Sequence, residues 1–192
     1  MIEFKTPARV CFFGDHQDYL DLPVIAGTIN RYIHLKATPN NEGIYNVYLP
    51  DIEENRVIHL NNKTTQIERD DYFLSGIKVL EQKGAHFAQG YNITISGNIP
   101  VNAGLSSSSA LVVAWIRFLI QAQKDPIQYS DLEVGQLTYT TEVLFFDQPG
   151  GLMDQYTIAQ GGLLYIDTKT TDCTALPGKL GPLVVAESGI AK

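Results

Sequence analysis

Cysteine is scarce in this chain: Cys11 and Cys173 are the two in 192 residues. They lie far apart and at no metal-ligand or redox spacing, which excludes a disulfide scaffold and a cysteine-based metal site. Cys11 falls in an apolar run and reads as buried. Long apolar runs are absent. No stretch approaches the roughly 20 apolar residues needed to cross a bilayer, and the opening MIEFKTPARV has no apolar signal core. No membrane contact is therefore expected, and the expected location is the cytoplasm. Positive charge is also short. Fourteen Lys and Arg against twenty-one Asp and Glu leave a formal charge of −7, which disfavours a nonspecific grip on nucleic acid or an anionic surface. Any phosphate bound here must be held locally, by backbone amides, a metal ion or a few placed cations. The P-loop pattern GxxxxGK[ST] does not occur, and there is no internal repeat or low-complexity linker.

The composition that is present, 44% hydrophobic and 18% charged, is that of a packed globular fold. Strands are expected at 2–5 and 8–14, separated by Pro7, and at 31–37, where Ile33, Leu35 and Ala37 alternate with Tyr32, His34 and Lys36. Further strands are expected at 44–49, 56–60, 91–96, 163–166 and 183–186. A helix is expected over 70–83 from the spacing of Phe73, Ile77 and Leu80, with Gly84 as its left-handed cap. A helix opening at 106–109 and continuing to 120 is apolar on nearly every side except at Arg117, as a helix buried on most of its surface would be. Another starts at Ser130, where Ser130 and Glu133 have capping-box spacing, and is expected to reach Phe146. One α+β domain is the resulting expectation.

Three segments carry chemistry. The first is GNIPVNAGLSSSSAL at 97–111, a glycine-serine loop between a strand and the buried helix. A helix start leaves about four amides unpaired and carries roughly half a positive charge, so it attracts phosphate. Taken alone, the serines would simply cap the helix. The second is PARVCFFGDHQDYLDLPVIAGTI at 7–29, where an apolar strand delivers Asp15, His16 and Asp18 into one turn. That grouping suits a polyhydroxylated ligand, although acidic surface turns are common. The third is TTEVLFFDQPGGLMDQYTIAQGG at 140–162, with Glu142 and Asp154 twelve residues apart. Singly, Asp154 reads as a helix-start aspartate and Glu142 as part of a solvated helix face. His34, His59 and His86 are scattered without metal-ligand spacing, Trp115 reads as core, and Phe145 and Phe146 as helix packing.

Together, in this order, the three segments resemble the motifs of the GHMP kinases, and galactokinases among them most closely. P-x-x-x-G-L-S-S-S-S-A at 100–110 resembles the family's phosphate loop. The match to P-x-R-V followed by G-E-H-x-D-Y covers Arg9, Gly14, His16, Asp18 and Tyr19. Asp15 replaces the usual glutamate, and Leu20-Asp21-Leu22 stands where the family has Gly-Gly. G-x-M-D-Q matches around Asp154. The resemblance implies a ribosomal protein S5 domain 2-like fold, a mixed sheet backed by helices, and ATP- and magnesium-dependent phosphorylation of a sugar hydroxyl. It assigns ATP phosphates to Gly104, Leu105, Ser106, Ser107, Ser108 and Ser109, and Mg2+ to Ser108 and Glu142. Asp154 with Arg9 takes the catalytic role, and Asp15, His16 and Asp18 the sugar. The implied ligands are a small sugar and ATP, with no nucleic acid partner. Family members carry a second α+β domain, so residues 1–192 are expected to be the N-terminal domain of such a kinase, without the C-terminal one. Mevalonate or homoserine phosphorylation, and a non-catalytic sensor of sugar and ATP, are the alternatives.

Overall fold

The computed structural model describes residues 1–60, 66–100, 103–178 and 181–186. Its seven strands form one mixed sheet: β1 (Ile2–Phe13), β2 (Val24–Asn40), β3 (Ile44–Leu49), β4 (Glu54–His59), β5 (Gly90–Gly97), β6 (Leu163–Asp167) and β7 (Asp172–Ala175). The helices are α1 (Tyr72–Gln82), α2 (Ser107–Ala122), α3 (Asp131–Glu142) and α4 (Met153–Gln160). The strand order is β4-β3-β5-β2-β6-β7, with β1 also paired to β2. The β3–β5 pair is parallel and the others are antiparallel.

β2 is the spine. Its first half pairs with β6 and its second with β5, while β1 runs along nearly its whole length. The expected strand at 31–37 is the centre of this longer element. Val24 to Thr28 join it although the run contains Ala26 and Gly27, because ladders on both sides override weak local preference. The expected break at Pro7 is instead a register shift between Pro7 and Ala8 inside one continuous β1. An edge strand tolerates a residue with no N–H to give.

The alternation along β2 places Ile33, Leu35 and Ala37 under the helices, and along β3 Tyr45, Val47 and Leu49 do the same. α2 lies across β1 and β2. Trp115 at its centre is fully buried, edge-on to Phe73 at 4.9 Å and to Tyr45 at 5.9 Å between ring centroids. Its indole N–H donates to the Phe73 carbonyl at 3.1 Å. Arg117, the polar exception on α2, reaches outward to Asp131 at 2.7 Å and the Ala159 carbonyl at 2.8 Å. α1 is capped by Asp71, which accepts from the Leu74 N–H at 3.1 Å, and Gly84 takes φ +92° just beyond its end. The capping box at Ser130 and Glu133 forms as its spacing suggests.

α3 ends at Glu142, not Phe146. A 3-10 turn, Leu144–Phe146, follows and Asp147 closes it at φ +50°, which frees residues 148–152 to turn back toward α4. α4 is seated on a separate apolar cluster of Val24, Ala26, Leu152, Met153, Tyr156 and Leu164. β7, short and polar, gave no sequence signal. The strand expected at 183–186 is absent: Val184 is 95% exposed, and Leu183 and Val185 line a cavity of about 830 Å³ with Ile29, Pro100 and Leu105. Cys11 is half-buried rather than buried, its thiol directed at the Phe13 and Ile25 carbonyls.

Candidate active site

β1, the loop before α2 and the first turn of α4 converge on one point. Arg9 projects from β1 and is only 8% exposed. Its Nε donates to Asp154 Oδ1 at 2.6 Å and its Nη1 to the Gly104 carbonyl at 2.7 Å. The Arg9 backbone N–H meets the Leu105 carbonyl at 3.4 Å. The Ser106 hydroxyl donates to the other Asp154 oxygen, Oδ2. Strand, loop and helix are thus joined in a closed ring of charge-assisted hydrogen bonds, which are shorter and stronger than neutral ones. Asp154 lies in the first turn of α4, yet its side chain makes no cap there. The helix-start reading of this residue does not describe where its carboxylate goes.

The loop's shape follows from two left-handed residues around a buried anchor. Gly104 has φ +70° and Ser106 φ +55°, while the Leu105 side chain between them is buried. A left-handed serine costs roughly 1–2 kcal/mol in backbone energy, and such strain gathers at functional sites. α2 begins directly after it. The first amide of α2 to find a helical partner is that of Ala110, bonded to the Ser106 carbonyl, and no side chain caps the start. The amides of Ser107, Ser108 and Ser109 are left to meet an anion. Val101 and Asn102, which belong to the same motif, lie outside the described residues.

Glu142 closes the far side of α2's first turn. Its Oε1 accepts from the Ser109 hydroxyl at 3.1 Å and its Oε2 from the Gln155 amide at 2.8 Å. It is 7% exposed, not the solvated side chain that its position on a helix suggests in isolation. Burial pushes its carboxyl above the ordinary range, against the hydrogen bonds from Gln155, Ser109 and Ser108. No salt bridge reaches it among the described residues. A desolvated carboxylate with hydroxyl oxygens beside it and no cationic partner is a donor set that suits Mg2+, which takes one or two carboxylates and completes its shell with phosphate and water.

Asp18 arrives from the 3-10 turn Asp18–Leu20 after β1. Its Oδ2 accepts from the Met153 N–H at 3.3 Å, so it caps α4 from 135 residues away. Gly151 makes this possible, since a Cβ there would sit 1.8 Å from the Asp18 carboxylate. Burial raises the Asp18 carboxyl above its ordinary value, the Met153 hydrogen bond opposes this, and the nearby Asp154 charge adds to it. Asp15 and His16 stay outside the bonded cluster. They are exposed, 3.8 Å from each other, with His16 at φ +60°. Two contributions carried no sequence signal, the Ser106 bond to Asp154 and the Asp18 cap, and Gln155 stands in M-D-Q without a role that the motif assigns it.

Residues 71–162 match the family model described as GHMP kinases N terminal domain. The glycine-serine loop lies inside that stretch, and the class to which the chain is similar there is the GHMP kinases, at their N-terminal domain. Within that class its sequence is similar to galactokinases. It is 34% identical over 182 residues to the galactokinase of Haemophilus influenzae, covering 92% of this chain and 47% of that protein. The chain spans about half the length of the curated relatives it matches. In structure it is similar to Lactococcus lactis galactokinase complexed with galactose, with TM-score 0.78 and 23% identity over 97% of this chain and 52% of that one. It is equally similar to the Methanococcus jannaschii mevalonate kinase, with TM-score 0.77 and 23% identity over 92% and 56%. These neighbours share the ribosomal protein S5 domain 2-like fold.

Proposed function

We propose that this chain is the nucleotide-binding half of a galactokinase-like sugar kinase, which transfers the terminal phosphoryl group of ATP to a sugar hydroxyl. The observation that carries the reading is Asp154, held on one oxygen by Arg9 and on the other by Ser106 of the phosphate loop. An acid tied to an anion-binding helix start is what phosphoryl transfer to an alcohol requires, because that reaction is mostly positioning and charge stabilisation. The amides of residues 104–109 cradle the phosphates. Asp154 accepts the proton of the attacking hydroxyl, while Arg9 orients it and offsets developing charge. Ser108 and Glu142 hold Mg2+, which neutralises phosphate charge when bound. Asp18, beside Asp154, faces the sugar, with Asp15 and His16 at the outer rim. A C-terminal GHMP domain completes the cleft in this reading.

The sequence likeness to galactokinases favours a sugar over mevalonate or homoserine as the acceptor, since the structural likenesses do not separate them. The test is a coupled ADP-release assay on the complete protein with galactose, mevalonate and homoserine. Turnover with galactose alone is the expected result. Turnover with mevalonate or homoserine in its place reassigns the acceptor, and nucleotide and galactose binding without any turnover makes the protein a sensor.

A further inference from the structure

Gln155 is 3% exposed, and the geometry around it is one-sided. Its amide nitrogen donates to Glu142 Oε2 at 2.8 Å, while its amide oxygen has no partner among the described residues. A buried, unpaired carbonyl oxygen costs about 1–3 kcal/mol. The side chain therefore sits where its nitrogen is wanted and not where its oxygen is satisfied. The reverse orientation would press that oxygen against a carboxylate, so the direction of the amide is fixed by its neighbour. Ser109 holds the other oxygen of Glu142 from α2. The carboxylate is gripped from two helices, and its plane is set by both.

Gln155 also follows Asp154 directly in sequence. Successive residues on a helix point about 100° apart, so the first turn of α4 sends Asp154 toward Arg9 and Ser106 and Gln155 toward Glu142. One turn thereby orients both acids of the site, the first directly and the second through an amide. We infer that Gln155 is a positioning residue that holds the Glu142 carboxylate in the orientation that binds the nucleotide's magnesium. The inference rests on the assignment of Glu142 to the metal in the proposed function. Outer partners of metal ligands typically contribute 10- to 100-fold in metal affinity, which is the effect to look for.

The measurement is the affinity of the chain for ADP by calorimetry, with and without Mn2+ as a Mg2+ substitute whose binding is also followed by electron spin resonance. The metal enhancement, the ratio of the two affinities, is the readout. Gln155→Met keeps length and volume but removes the donor. It should lower the enhancement about 10-fold or more and leave metal-free ADP affinity unchanged. Glu142→Gln should remove the enhancement. The double variant should lose no more than Glu142→Gln alone, because Gln155 acts only through Glu142. If Gln155→Met does not fold, as judged by circular dichroism, Gln155→Asn carries the same expectation, its amide being a methylene too short. Full enhancement in either folded Gln155 variant, or a further loss in the double variant, overturns the inference while the metal assignment stands. Full enhancement in Glu142→Gln overturns the metal assignment itself. Absence of ADP binding by the wild-type chain overturns the phosphate-loop reading beneath both.

Discussion

At the scale of the residue, the site is two acids with different surroundings. Asp154 sits in a ring of donors, and Asp154→Asn keeps its shape while losing its charge. In the complete protein that variant should reduce kcat by about 10² to 10⁴, the usual worth of a general base, with nucleotide affinity nearly unchanged; wild-type kcat in the folded variant would remove Asp154 from the chemistry. Asp18 makes a different prediction. Its carboxyl is raised by burial in the folded chain, so the folded state holds that proton more tightly than the unfolded state. The stability from this group is fully present below the ordinary carboxylate value and is lost as pH rises from there through the raised value. Asp18→Asn can still accept from the Met153 N–H and has no proton to lose. It should melt with wild type in acid and above it near neutrality, which a pH series of melting temperatures would check. The acids and Arg9 were legible in the sequence as types, since their motifs name them. The pairing of Arg9 with Asp154 was implied by the family resemblance and is formed, whereas the cap from Asp18 to Met153 was not foreseen, because it spans 135 residues and no local pattern encodes such a meeting.

At the scale of the element, two glycines set where the chemistry sits. A Cβ at Gly104 would meet nothing within 4 Å, so its importance lies in φ +70° and not in space. Gly104→Val forces a β-branched residue into the left-handed region and should abolish ADP binding while lowering the melting temperature by only the few degrees that about 1–2 kcal/mol of local strain costs; normal ADP affinity would show that the loop does not need this turn. At Gly135 the reverse holds. There a Cβ would lie 3.2 Å from the Tyr156 backbone, where α3 and α4 cross. Gly135→Leu should destabilise by about 1–3 kcal/mol through overpacking, measured by urea unfolding. It should also lower activity, because α4 carries Asp154. The sequence announced, through a period, a cap or a flanking turn, α1, α2, the start of α3, the second half of β2, and β1, β3, β4, β5 and β6. Those it hid were stabilised from outside. Val24 to Thr28 become strand through two neighbours, β7 through β6, and α4 through the apolar cluster beneath it and a cap supplied by Asp18.

At the scale of the whole molecule, the phosphate loop is bonded to β1 near one end of the described chain and to α4 near the other. A ligand seated there binds only the assembled fold. ADP at 100 times its Kd should therefore stabilise the chain by about 2.7 kcal/mol, raising one melting transition by about 5–11 °C for a protein of this size. Two transitions, with only one moved by ADP, would show that the apolar clusters at the two halves of β2 unfold separately. The ring formed by Arg9, Gly104, Ser106 and Asp154 has a further consequence in time. Its members are separated along the chain by 95, 145 and 48 positions. At about 5–20 residues per second, the ribosome delivers the aspartate roughly 7–30 s after the arginine it must neutralise. Until then β1 carries a cation that its own burial would strand. Closure of the site thus trails the synthesis of β1 by that interval, and a chain that halts before α4 lacks the carboxylate that pairs with this cation.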